Sequence, residues 1–454
     1  MKKIFGVLCA CALILLLCAC TQQTVLGKPL SQPLSQIRTQ QLSQFLFNSA
    51  DFTAVESAGG ESYAYCDLDL DGEAEQISFL TLTQDGKHRA ELCVSRLENG
   101  RYRRCAMLRN TCDEIADYAP ARLAEDVQAI VIGWGLAGED SRGVSVCTLS
   151  GTMLETLYGG HYSALSVADF DGDGYDEILL ARAGTSSMRG SAVLLDYTNG
   201  TLSPVSRVQL SAGLNAFLNV QTAAIGFEQT ALICEGYIEE TGYVSDYIVY
   251  VDGALINVFL SDYTGISTQT LRAYPVWSCD IDGNGYVELP VLREVPRFFS
   301  EGTGAYALWF VDWMQCGDTG IASLVCTSYH DFDDQWYLIL PDAMSNNVTV
   351  EISLDTPDCK GVLFYYWSDE GERTVPIWEV YIFRGEEART RMQQLAFYEV
   401  AFVYPKAYSL QLYHNVYGFS YSRRSLTAGF CAYGTPELSQ PYAALFDFSS
   451  TQQQ

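Results

Sequence analysis

The chain has 454 residues, 48% of them hydrophobic, with 29 Tyr and 21 Phe. That is enough apolar material for one large β domain and a smaller one, and it excludes general disorder. A net charge of −28 excludes nucleic acid as a partner, because phosphate would be repelled. The same acidity suits an outward-facing chain that collects divalent cations.

The chain opens on Lys2-Lys3 and an apolar run from Ile4 to Leu17, the pattern of an export signal spanning residues 1–19. The run is short for a membrane span. It ends in Leu17-Cys18-Ala19-Cys20, which resembles a bacterial lipobox: a leucine, two small residues and a cysteine that becomes lipid-modified after cleavage. The resemblance implies that Cys20 carries a lipid anchor, that the membrane is a partner through it, and that the protein sits on the extracytoplasmic face, at the cell surface. An ordinary secretory signal is the plainer alternative. Residues 20–40, with Pro29 and Pro33 among Gln and Ser, read as a tether. The eleven cysteines beyond Cys20 form no CxxC or tandem framework. Several, such as Cys93 and Cys147, lie inside apolar runs and read as buried thiols acting as small hydrophobes.

Leu42 to Phe47 reads as a short helix, and after it the signal is β almost throughout. Apolar or β-branched runs are split by the turn signals Asp85-Gly86, Asn99-Gly100, Ser150-Gly151, Asn199-Gly200 and Asp252-Gly253. From about 330 the character changes. Strand runs at Trp336–Leu340, Val348–Ser353, Val362–Trp367 and Trp378–Phe383 precede a helix expected over Glu386–Leu395. This predicts a small α+β domain over 331–448, with 449–454 a polar tail.

Three stretches carry the chemistry. The first is Asp67-Leu68-Asp69-Leu70-Asp71-Gly72-Glu73-Ala74-Glu75. The second is Asp169-Phe170-Asp171-Gly172-Asp173-Gly174-Tyr175-Asp176-Glu177, and the third is Asp280-Ile281-Asp282-Gly283-Asn284-Gly285-Tyr286-Val287-Glu288. Side chains at positions 1, 3 and 5 of a tight loop converge, glycine at 6 lets the backbone turn, and an acid at 9 closes the shell. The oxygens of Asp67, Asp69, Asp71 and Glu75, of Asp169, Asp171, Asp173 and Glu177, and of Asp280, Asp282, Asn284 and Glu288 suit Ca2+. Asp176 is an alternate donor in the second loop, and Asn284 lowers the charge of the third, which ranks that site weakest. An EF-hand needs an acid at position 12, where this chain has Ser78, Leu180 and Val291, and a strand rather than a helix follows each loop. Acidic β-turns are the plainer alternative, but three copies with an acid at the same ninth position count against it.

The loops start at 67, 169 and 280, so they lie 102 and 111 residues apart, and each interval contains about eight strand-like runs. Four strands make a propeller blade of about 40–50 residues, so each interval predicts two blades, one with an ion loop and one without. The expected architecture is a β-propeller-like domain of about 5–7 blades over 41–330. A repeated sandwich module is its rival. The loops, with the lead-ins Leu165-Ser166-Val167-Ala168 and Pro275-Val276-Trp277-Ser278-Cys279, resemble the FG-GAP and VCBS-type repeats of integrin-α-like propellers. In that family the loop joins two strands of a blade and holds calcium. The usual Phe-Gly and Gly-Ala-Pro blade signatures are missing from the repeats.

No HExxH, GxSxG or P-loop occurs. Gly133-Trp134-Gly135-Leu136-Ala137-Gly138 matches GxGxxG, but a β run and not a helix follows, which favours a glycine-rich turn between strands. His330-Asp331-Phe332-Asp333-Asp334 reads as a solvated loop before a strand, and Asp369, Glu370 and Glu372 as one charged turn. Tyr306, Trp309, Phe310 and Trp313, at near-helical spacing, read as core. The function expected is a calcium-stabilised surface module that binds a protein or glycan ligand. The alternative is an extracellular hydrolase or lyase acting on envelope or environmental polymers.

Overall fold

The structure, a computed structural model, describes residues 52–54, 63–84, 87–135, 142–226, 229–296, 308–332, 336–340, 345–356, 359–367, 373–383, 401–403 and 427–432, and most of these are in strands. Local chemistry explains the punctuation. At Asn99-Gly100, Asn199-Gly200 and Asp252-Gly253 both residues have positive φ, between 49° and 83°, which makes the type I′ turn that joins tight hairpins. At Ser150-Gly151 the serine ends its strand, and only the glycine is left-handed. Asp85-Gly86 lies outside the described residues.

Between these turns the strands form six antiparallel sheets in chain order. The first holds β1 (Phe52–Ala54), β2 (Tyr63–Cys66), β3 (Glu75–Gln84), β4 (Lys87–Glu98) and β5 (Arg101–Arg109), with β3 pairing β1, β2 and β4. The second is β6 (Glu114–Ala124), β7 (Val127–Gly135), β8 (Arg142–Ser150) and β9 (Met153–Tyr162). The third is β10 (Ala164–Ala168), β11 (Glu177–Arg182), β12 (Ser191–Thr198) and β13 (Thr201–Gln209). The fourth is β14 (Asn219–Ile225), β15 (Gln229–Ile238), β16 (Gly242–Val251) and β17 (Ala254–Asn257). The fifth is β18 (Glu288–Glu294), β19 (Trp309–Gly317), β20 (Gly320–Asp331) and β21 (Trp336–Leu340). The sixth, in the order β22-β23-β24-β26-β25, holds β22 (Val348–Asp355), β23 (Cys359–Trp367), β24 (Arg373–Phe383), β25 (Ala401–Val403) and β26 (Thr427–Ala432). The acidic loops open the first, third and fifth sheets, and the second and fourth have none, the alternation that the loop spacing predicts.

The chain falls into two compact units, Met1–Ala223 with Thr230–Cys234 and Tyr247–Asn257, and Ala224–Gln229 with Glu235–Asp246 and Val258–Gln454. In the first unit a strand side chain serves one of two cores according to its parity. Ile130, Ile132 and Trp134 of β7 pack with Ile77, Leu92 and Val94 of the first sheet. Their neighbours Ala129 and Val131 pack with Ile178 and Leu180 of the third. The alternate β11 residues, Leu179 and Ala181, join a further core with Leu232 and Ile248. Two-sided burial explains why these strands read as continuous apolar runs, each fully buried Ile, Leu or Val contributing about 1.5–3 kcal/mol.

In the second unit a buried polar cluster holds the segment that leads into the third loop. Glu235 on β15 accepts from Arg272 Nη2 (3.0 Å), Ser245 Oγ (2.5 Å), Ser278 Oγ (2.8 Å) and the Ser278 N–H (3.2 Å). The Arg272 guanidinium also lies 5.6 Å from the Trp277 ring centroid.

One expectation is corrected. The boundary near 330 falls inside the fifth sheet, because β21 pairs with β20 from Thr327↔Leu340 to Asp331↔Trp336, and the change in composition marks a hairpin connection. The described strands between Val348 and Ala432 build the sixth sheet, and the helix expected within 331–448 falls on residues that are not described. The helices expected over 42–47 and 386–395 lie outside the described residues, which include the 3-10 turn Thr268–Thr270. Among the described residues no helix is long and apolar enough to cross a membrane.

Candidate metal centre

The three acidic loops share one hydrogen-bond frame. In each, the N–H of the second residue donates to the ninth-position glutamate: Leu68 to Glu75 Oε2 (2.8 Å), Phe170 to Glu177 Oε2 (2.7 Å) and Ile281 to Glu288 Oε2 (3.0 Å). The N–H of the sixth-position glycine donates to Oδ2 of the first aspartate: Gly72 to Asp67 (3.0 Å), Gly174 to Asp169 (3.0 Å) and Gly285 to Asp280 (2.9 Å). The seventh N–H donates to the fifth side chain: Glu73 to Asp71 Oδ1 (2.8 Å), Tyr175 to Asp173 Oδ1 (2.8 Å) and Tyr286 to Asn284 Oδ1 (2.7 Å). The fifth residue therefore braces the turn, and an asparagine does this as well as an aspartate.

This frame needs a left-handed backbone at two points. The fourth residue has φ of 60° at Leu70, 79° at Gly172 and 78° at Gly283, and the sixth has 91–92° in all three loops. Glycine adopts such angles freely and leucine does so at a cost. The second residue, Leu68, Phe170 or Ile281, is buried and anchors the loop on the core. That apolar position recurs in the sequence but was not read there as part of the site.

Ligand oxygens converge where positions 1, 3 and 9 meet. Asp169, Asp171 and Glu177 bring one carboxylate oxygen each within 4.8 Å of one another, as do Asp280, Asp282 and Glu288. In the first loop the converging set is Asp67, Asp69 and Asp71, without Glu75. Burial, with Asp171 and Asp169 adding repulsion, pushes the Glu177 carboxyl up to about 8. Burial and the aspartates Asp282 and Asp280 push Glu288 up to about 7. Glu288 is fully buried, yet its Oε1 has no hydrogen-bond partner. An all-oxygen anionic donor set with an unsatisfied buried carboxylate oxygen fits a hard divalent cation, whose charge relieves the repulsion.

The eighth residue docks each of the later loops on the first strand of the preceding sheet. The Asp176 N–H donates to Arg122 O (2.7 Å), and its Oδ2 accepts from the Arg122 N–H (2.7 Å). This commits Asp176 Oδ2 to β6, and Asp176 is not among the converging carboxylates of the second loop. The Val287 N–H makes the matching bond to Ala224 O (2.9 Å).

The other motifs resolve as structure. Gly133 and Gly135 lie within strand β7, not in a turn, and leave room for the side chains of Tyr162 and Glu114. His330 and Asp331 are buried on β20, not in a solvated loop: His330 Nε2 is 2.7 Å from Ser328 Oγ, and Asp331 pairs with Lys360 Nζ at 2.7 Å. Cross-strand pairing carried these polar residues inside. Trp309, Phe310 and Trp313 lie on β19, with Phe310 and Trp313 in the core as expected. Cys66, Cys93, Cys105, Cys147, Cys279 and Cys316 are free thiols, and burial pushes Cys93 up to about 11, which leaves it unreactive. Cys20, Tyr306, Asp333, Asp334, Asp369, Glu370 and Glu372 lie outside the described residues.

Residues 161–195 match the FG-GAP repeat model. No curated protein matches the chain. Among solved structures, an exotype rhamnogalacturonan lyase, YesX, aligns at 13% identity and a TM-score of 0.32, over 72% of this chain and 70% of its own. The Bacillus licheniformis rhamnogalacturonan lyase PL11 aligns at 13% identity and 0.32, over 71% and 62%. Saccharomyces cerevisiae Sqt1 aligns at 10% identity and 0.27, over 84% and 96%. Likenesses of this size define neither fold nor activity. The matched repeat runs from the end of β9 through β10, the second loop and β11 into β12, so this almost all-β chain carries an FG-GAP repeat built around its second acidic loop.

Proposed function

We propose that the chain is a lipid-anchored, extracytoplasmic binding module whose sheets are the blades of a calcium-braced β-propeller. Cys20 holds it to the membrane, and the blade loops face a protein or glycan ligand. The observation that carries the calcium reading is Glu288: a buried carboxylate with an unpartnered oxygen, beside Asp280 and Asp282, in a loop frame that occurs three times. A cation at these loops would stiffen the link between one sheet and the next, since the Asp176 and Val287 main-chain bonds start from the same loops. The role is structural, and the affinity expected is that of extracellular calcium modules.

The test is thermal unfolding of the full chain in detergent. Calcium should raise the melting temperature and chelator should lower it, reversibly. A curve indifferent to both would leave the loops as turns. Incubation with envelope glycans then separates binding from catalysis: retention of intact polymer supports the module, and shortened polymer in solution supports a hydrolase or lyase.

A further inference from the structure

We propose that the first acidic loop is closed by the guanidinium of Arg96 in place of a divalent ion, so that the chain takes cations at the second and third loops only. This rests on the calcium reading of those loops and refines it.

Cross-strand register shows the difference. The pair Gln76↔Ser95 places Arg96 beside Glu75, the closing glutamate of the first loop. In the third sheet, Ile178↔Leu195 makes Asp196 the counterpart of Arg96, facing Glu177. In the fifth, Glu288 pairs directly with Gln315. The residue opposite the closing glutamate is thus a cation, an anion and a neutral amide in turn.

The contacts follow from that exchange. Arg96 Nε donates to Glu75 Oε1 at 3.1 Å, and its Nη2 pairs with Asp69 Oδ2. Glu75, itself buried, is thereby drawn out of the carboxylate group that its equivalents Glu177 and Glu288 join. A guanidinium carries a fixed charge and a planar fork of donors, so one side chain engages Glu75 Oε1 and Asp69 Oδ2 and leaves only Asp69 Oδ1 of that pair without a partner. A divalent ion arriving beside it would meet like charge and find two of its oxygens engaged. In the second loop the opposite holds, where Asp196 adds to the negative field on Asp171. Ranking by loop charge placed the third loop last, and the strand register puts the first loop there instead.

The test counts bound calcium on the full chain in detergent by equilibrium dialysis and metal analysis. Wild type should hold two ions, Arg96→Gln three, and the charge-keeping Arg96→Lys two. Should Arg96→Gln fail to fold, Asp67→Asn and Asp169→Asn in the wild-type background decide: the first should leave the count at two and the second should lower it to one. Three ions on wild type, no gain in a folded Arg96→Gln, or a loss in Asp67→Asn would overturn the inference while leaving calcium binding intact. No ion on any variant would remove the calcium reading along with it.

Discussion

The hydroxyl of Tyr162 occupies the space that a side chain on Gly133 would need: a Cβ there would lie 1.8 Å from Oη and 2.9 Å from Cζ. Tyr162 is fully buried and its hydroxyl donates to Asp117 Oδ2 at 2.5 Å, while Arg142 Nη1 reaches the same oxygen at 2.8 Å. Gly133→Ala should therefore destabilise by about 1–3 kcal/mol or more, since the ring cannot retreat without breaking this network. In a double-mutant cycle with Tyr162→Leu, urea unfolding should show the pair costing less than the sum of the single changes. Strict additivity would mean that the two residues do not compete for one space.

Leu70 offers a change of the opposite sign. It holds φ of 60° where the other two loops have glycine. Leu70→Gly should stabilise by about 0.5–1 kcal/mol, as relief of the left-handed leucine outweighs the greater freedom of the unfolded glycine. Gly172→Leu should destabilise by about 1–2 kcal/mol. Thermal melts of both variants check the pair, and shifts of the same sign would contradict the shared frame.

His330 sets part of the acid response. Burial holds its imidazole down to about 3, against an ordinary value of 6.5. Between those values the unfolded chain binds a proton that the folded chain refuses, so stability falls as pH drops from 6.5 towards 3. His330→Gln, which can still reach Ser328, should flatten this limb in urea titrations at stepped pH. Parallel pH profiles for wild type and variant would show that the folded imidazole accepts the proton.

The Glu235–Arg272 pair, with both side chains fully buried, should be asymmetric to mutation. Glu235→Ala strands the guanidinium and should cost about 3–5 kcal/mol, whereas Glu235→Leu with Arg272→Met should recover most of that loss. Denaturant midpoints measure both. A double variant as weak as the single would show that Ser245 and Ser278 depend on the carboxylate more than the charge pair does.

Much of the loop chemistry was legible in the sequence because it is local. The sign of φ at Asn99-Gly100 or Gly174 and the reach of an aspartate to an N–H a few residues on depend on residues close in the chain, as do the Gly72–Asp67 and Gly285–Asp280 bonds. The alternation of sheets with and without a loop followed from counting strand runs between repeats. The glycine motif at 133–138 leads into a β run, β8, as its sequence implied, but the place of Gly133 and Gly135 inside β7 and the burial of the His330 segment depend on residues distant in sequence, Tyr162 for the one and Tyr337 and Lys360 for the other.

The sequence by itself therefore determined the β class, the turns and three loops able to gather oxygen ligands, since each is a property of short segments. Only the tertiary structure decided which of those loops has a cation of its own. Arg96 lies 21 residues from Glu75 and 27 from Asp69, and strand register alone brings its charge to them. Register depends on how whole strands share their two faces between neighbouring cores, and no nine-residue pattern encodes that.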